Sequence, residues 1–116
     1  MSLYTEIFVT FSFEGEHCYP DAPDEVSYLR NVHRHLFNVR VDIDVEHDER
    51  EIEFHMFKHE LQSRFRSYED CSNKSCETMA RELAGYLLAN YHGRDFSVTV
   101  DEDGENGAIV THIKDF

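Results

Sequence analysis

Apolar side chains first recur at every second residue, where Ile7, Val9, Phe11 and Phe13 alternate with Thr10, Ser12, Glu14 and Glu16. A period of two over this length predicts a half-buried strand across residues 4–17. Residues 18–30, with Pro20, Asp21, Pro23 and Asp24, have the composition of a loop. In a second strand Phe37, Val39, Val41, Ile43 and Val45 share one face. Asn38, Arg40, Asp42, Asp44 and Glu46 share the other, and the polar run from His47 to Arg50 ends it. Then the period changes. Phe54, Phe57, Leu61 and Phe65 recur at three or four residues, which predicts a helix from Phe54 to about Tyr68. A break around Asp70–Lys74 separates it from a second helix striped by Met79, Leu83, Tyr86, Leu87 and Tyr91. Ser72 or Ser75 could cap that helix, and Gly93 is suited to stop it. Phe96, Val98 and Val100 predict a third strand, Asp103–Gly107 a turn and Ala108–Ile113 a fourth strand. The predicted order is ββααββ, an α+β arrangement of two hairpins separated by a helical pair.

Composition narrows this picture. At 116 residues a single domain spanning 1–116 is expected. Nine Phe and six Tyr can fill a modest core, helped by a metal or by subunit contacts where the core falls short. The 24 acidic residues outnumber 11 basic ones, for a formal charge of −13. Basic residues cluster only briefly, around Arg30 and Arg34 and around Arg64 and Arg66, so nucleic acid and anionic lipid are disfavoured as partners. The plain reading of the acidity is solubility. No secretory leader is apparent, and no run approaches the roughly 20 apolar residues of a membrane span. Three cysteines without a C-x-x-C spacing suggest neither a disulfide framework nor a thiolate zinc site. A soluble, cytoplasmic protein is expected.

Three histidines carry the candidate chemistry. His17 has the parity of Ile7, Val9, Phe11 and Phe13, while His33 and His35 have that of Phe37, Val39 and Val41. If the alternation holds, all three imidazoles leave one face of the sheet near one end of adjacent antiparallel strands. His-x-His on a strand spaces two imidazoles about 7 Å apart at Cα, and a third from the neighbouring strand completes a three-nitrogen set. Such a set leaves one tetrahedral position for water or substrate, the open arrangement of catalytic zinc. Hydrogen-bonded core histidines are the bland alternative. Copper or nickel would suit the same ligands, and zinc is chosen on softness and geometry. His55 and His59, at i and i+4 on the first helix, read more simply as a solvated face.

Several segments also form a family pattern. Phe13-Glu14-Gly15-Glu16-His17, followed by Val32-His33-Arg34-His35-Leu36-Phe37-Asn38-Val39, resembles the F-x-x-x-H … H-G-H-x-[YF]-x-V signature of the 6-pyruvoyl-tetrahydropterin and 6-carboxytetrahydropterin synthases. Glu51-Ile52-Glu53-Phe54 with Phe57-Lys58 is similar to that family's G-x-[VI]-x-D-F-x-x-[LF]-K segment. Ser75-Cys76-Glu77-Thr78-Met79-Ala80 is similar to its [PT]-T-x-E-x-x-A helix start, and Val98-Thr99-Val100-Asp101-Glu102 to its late V-x-V-x-E strand. The resemblance implies the tunnelling fold, a ββααββ antiparallel sheet with two helices packed on one face. It also implies a homo-oligomer, a hexamer or another ring-based assembly. Zinc would be bound by His17, His33 and His35. Glu102, Ser75 and Cys76 would contact a pterin or purine-like ring, with Glu102 accepting N–H bonds from the 2-aminopyrimidinone edge. The activity implied is that of a zinc-dependent lyase acting on 7,8-dihydroneopterin triphosphate or a related pterin, on the route to 7-deazaguanines and queuosine.

Departures from the pattern fall on proton transfer. Leu29 stands where the family has its catalytic Cys, four residues before the first His of H-G-H. Cys18 is the nearest thiol, but an extended strand would direct it away from His17. Glu25 in the same loop is the candidate replacement base. The family's Asp-His pair between the helices has no His here, which leaves Asp70 as the candidate orienting acid. Arg34 replaces the Gly of H-G-H and would sit on the opposite strand face beside an acidic neighbour. The alternative to an enzyme is therefore a non-catalytic zinc- and pterin- or purine-binding protein of the same fold.

Overall fold

The computed structural model describes residues 3–65 and 74–114. Its elements follow the predicted order: β1 (Thr5–His17), β2 (His33–Val45), α1 (Phe54–Phe65), α2 (Cys76–Asn90), β3 (Phe96–Glu102) and β4 (Asn106–His112). The four strands form one antiparallel sheet in sequential order, β1-β2-β3-β4.

Register follows from parity. β1 and β2 pair along their full lengths, from Thr5 opposite Val45 to His17 opposite His33. Val9 and Phe11 of β1, Phe37 to Ile43 at every second residue of β2, and Phe96, Val98 and Val100 of β3 all face one side and are buried. A slip of one residue would turn every one of them to solvent, so burial fixes the pairing. The apolar stripes of the helices cover that side, with Phe57, Leu61 and Phe65 from α1 and Met79, Leu83 and Leu87 from α2. No helix among the described residues is long and apolar enough to cross a membrane.

Helix ends are set by side chains. Ser75 caps α2, its hydroxyl accepting from the Thr78 amide at 3.1 Å. Glu53 serves α1, its carboxylate accepting from the amides of His55 at 3.0 Å and Met56 at 3.2 Å. α2 opens at Cys76, ahead of the first stripe residue, and Gly93 at φ +71° follows its end. Asp70 and Ser72 lie outside the described residues.

Two stretches depart from expectation. The segment read as a loop contains a 3-10 helical stretch, Asp24–Arg30, kinked at Val26. Arg30 ties it down by donating to the Ala22 carbonyl at 2.9 Å and to Asp24 at 2.7 Å, and the Tyr19 amide donates to the Leu29 carbonyl at 2.8 Å. Short 3-10 turns need no apolar periodicity, so a Pro- and Asp-rich composition conceals them. The β3–β4 turn is also tighter than predicted. Pairing continues to Glu102 opposite Asn106, leaving Asp103, Gly104 and Glu105 outside it. Asp103 at φ +59° and Gly104 at φ +73° take the left-handed conformations that close so short a connection. Gly107 is consequently a strand residue, where a Cβ would lie 2.3 Å from the Val100 carbonyl oxygen.

Candidate metal centre

The β1–β2 ladder delivers the three histidines to one place. His17 and His33 are its last pair, and His35 lies opposite Gly15. One ligand atom from each ring can be chosen so that all three lie within 4.8 Å of one another. The ring centroids are 4.5, 4.8 and 5.0 Å apart. Phe37 forms the floor, its ring centroid 5.3 Å from that of His17 and 5.8 Å from that of His35.

Every Nδ1 is already engaged. His17 Nδ1 is 3.0 Å from the Lys74 carbonyl, His33 Nδ1 is 2.8 Å from the Asn31 carbonyl, and His35 Nδ1 is 2.6 Å from Asp103 Oδ2. Carbonyl and carboxylate oxygens only accept, so each ring donates from Nδ1. A neutral ring that donates from Nδ1 offers the Nε2 lone pair. Metal-binding histidines show this same anchoring of the far nitrogen. His35 Nε2 is buried and has no hydrogen-bond partner among the described residues. An unpartnered buried nitrogen is costly, and a cation among the three rings would satisfy it. The donor set therefore fits a divalent ion that accepts imidazole, zinc included.

Asp103 holds His35 from the β3–β4 turn. Its second oxygen accepts from the Leu36 amide at 2.9 Å, and its own amide donates to the Leu36 carbonyl at 2.7 Å. The hydrogen bond from the His35 ring, then the one from Leu36, keeps its carboxyl below the usual carboxylate range. Asp103→Asn tolerates the left-handed backbone but removes the charge that orients the ring. It is expected to weaken zinc binding about tenfold to a hundredfold, measured by competition with a chromophoric chelator. Unchanged affinity would show that the turn does not support the site.

Beside the histidines lies an open cavity of about 760 Å³. The three residues expected to contact a ring, Glu102, Ser75 and Cys76, line it together with His17 and His33. Glu102 brings Oε2 to 3.5 Å from His35 Nε2 and 3.8 Å from His17 Nε2. The Ser75 hydroxyl is engaged in capping α2. Burial, with Glu102, Glu77 and Asp101 nearby, pushes the Cys76 thiol up to about 12, so it stays protonated at neutral pH. Leu29 also lines the cavity. Glu25 is exposed on the 3-10 stretch and is not among the lining residues. Asp70 lies outside the described residues, so its position relative to the cavity is not defined.

Cys18 falls one residue past the end of β1. It lines the cavity with His17, because β1 ends at His17 and alternation stops with it. Arg34 points to the opposite sheet face and pairs with Glu16 at 3.2 Å, as its parity requires. Sequence reasoning missed Asp103 as a histidine partner. Its signal was the turn itself, since an Asp before Gly takes a left-handed conformation with little strain. No family model matches the chain, and no curated protein matches it.

Proposed function

We propose that this chain is a divergent pterin-synthase-like protein of the tunnelling fold, a zinc-dependent lyase or synthase acting on 7,8-dihydroneopterin triphosphate or a related pterin. The observation that carries the reading is the convergence of three imidazoles, each anchored through Nδ1, at the edge of a cavity of about 760 Å³. The four-stranded antiparallel sheet with helices on one side is compatible with that fold. Zinc held there would act as a Lewis acid toward the side-chain oxygens of the pterin. Glu102, between the rings and the cavity, is the carboxylate available to the N–H groups of a 2-aminopyrimidinone edge. Among the described lining residues Lys74 is the one lysine or arginine, and it already pairs with Glu82 at 3.2 Å. That charge pattern favours an uncharged ring over a polyphosphate tail, and so the related pterin over the triphosphate. By the same resemblance the protein is a homo-oligomer with its sites between subunits, and its cysteine usage fits a cytoplasmic location.

A second reading, a non-catalytic zinc- and pterin- or purine-binding protein, is favoured by Leu29 at the position of the family's catalytic Cys. One experiment separates the two. Zinc-loaded protein is incubated with 7,8-dihydroneopterin triphosphate and with dihydroneopterin, products are followed by mass spectrometry, and binding of both is followed by fluorescence. Turnover that chelation abolishes supports the lyase. Saturable binding without product supports the binding protein. Neither product nor binding overturns both readings.

A further inference from the structure

β3 ends at Glu102, which pairs with Phe37 and so leaves the sheet on the histidine side. Its Oε2 faces His35 Nε2 at 3.5 Å and His17 Nε2 at 3.8 Å. A carboxylate accepting from a protonated imidazole closes to about 2.7–2.9 Å. With each ring donating from Nδ1, a neutral imidazole has only a lone pair to turn toward Glu102, and two lone pairs repel. A cation between them removes the repulsion. Donors that share a tetrahedral ion at bond lengths of about 2.0–2.1 Å lie about 3.3–3.4 Å apart. Both separations at Glu102 are too long for hydrogen bonds; the 3.5 Å one is close to that of co-ligands, and the 3.8 Å one would close by a few tenths of an ångström around an ion. The neighbouring acid is committed differently, since Asp103 accepts from Nδ1 of His35 at 2.6 Å. Consecutive carboxylates thus attend the two nitrogens of one ring.

We propose that Glu102 supplies the fourth protein donor to the metal in the ligand-free protein, converting the open three-histidine site into a closed set of three imidazoles and one carboxylate. The inference rests on the metal reading of the site and goes beyond it. A ligand entering the cavity then has to displace the carboxylate, and Glu102 becomes free for the ligand's N–H groups only when that happens. Glu102 is the end of a strand with a partly exposed side chain, which gives it the freedom to move between these roles.

Cobalt(II) tests this on the full chain, stripped of metal by chelation, because its visible spectrum reports the number and type of donors. The wild type is expected to bind one cobalt with an intense four-coordinate spectrum that added azide leaves unchanged. E102Q is expected to shift that spectrum, to admit azide with a new charge-transfer band, and to bind cobalt about tenfold to a hundredfold more weakly. E102D, one methylene shorter, is expected to fall between them. Circular dichroism of the metal-free variants checks that each is folded, and E102D carries the comparison if E102Q is not. Identical spectra and azide responses for the wild type and a folded variant overturn the proposal and leave the metal site standing. A folded wild type that binds no cobalt overturns both.

Discussion

His35→Ala is expected to abolish stoichiometric zinc binding while leaving the fold intact. Structural zinc sites with four protein donors bind with about 10–16 kcal/mol at neutral pH, or roughly 2.5–4 kcal/mol per donor. Losing one donor at this centre therefore costs about a hundredfold to a thousandfold in affinity. His35 is held from two sides, since Asp103 orients it and Phe37 lies beneath it. Its Nε2 is also buried without a hydrogen-bond partner among the described residues, so its removal deletes the group with most to gain from an ion. Elemental analysis after dialysis is the direct measurement, with circular dichroism as the control for folding. Full zinc occupancy in H35A would remove the centre from consideration.

Phe37→Ala is expected to be the most destabilising substitution near the site. Phe37 is fully buried, stacks on Phe13 at 5.3 Å and supports two of the three imidazoles from below. Truncating a buried phenylalanine costs about 3–5 kcal/mol through lost burial and the cavity left behind. A domain of this size holds only about 5–15 kcal/mol in total, so the variant retains a fraction of its stability. A fall in Tm of about 10–20 °C is expected by calorimetry on metal-free protein. Phe37→Leu keeps most of the volume and is expected to lose far less. A shift of only a few degrees for the alanine variant would mean that neighbouring rings collapse into the space.

Much of this architecture is legible in the chain because it depends on local period and parity. The strand faces, both helical stripes and the shared face of His17, His33 and His35 follow from counting residues. A serine cap follows from its place before an apolar stripe, with Ser72 and Ser75 both offered and Ser75 taking the role. What escapes counting depends on backbone conformation or on distance along the chain. Asp103 reaches His35 across 68 residues, and only the left-handed turn aims it. Cys18 reaches the cavity lining just past the last paired residue, where parity has no meaning. Glu53 as a helix cap is hidden because glutamate is not among the usual capping residues. The 3-10 stretch brings Leu29 to the cavity wall, which a loop reading cannot specify.

The pairing of β1 with β2 ends at His17 and His33, with the candidate centre on its final rung. Strand ends open more easily than strand middles, so the last rungs are where such a ladder frays first. An ion held by both residues of that rung acts as a clasp, because it binds only when the strands are together and so favours the closed end. The free energy of metal binding and the free energy of holding the last few pairs closed become linked quantities. A substitution that loosens the ladder at Gly15 or Phe13 would then weaken the metal without touching a ligand. Removing the metal would in turn soften the wall of the cavity that His17 and His33 line.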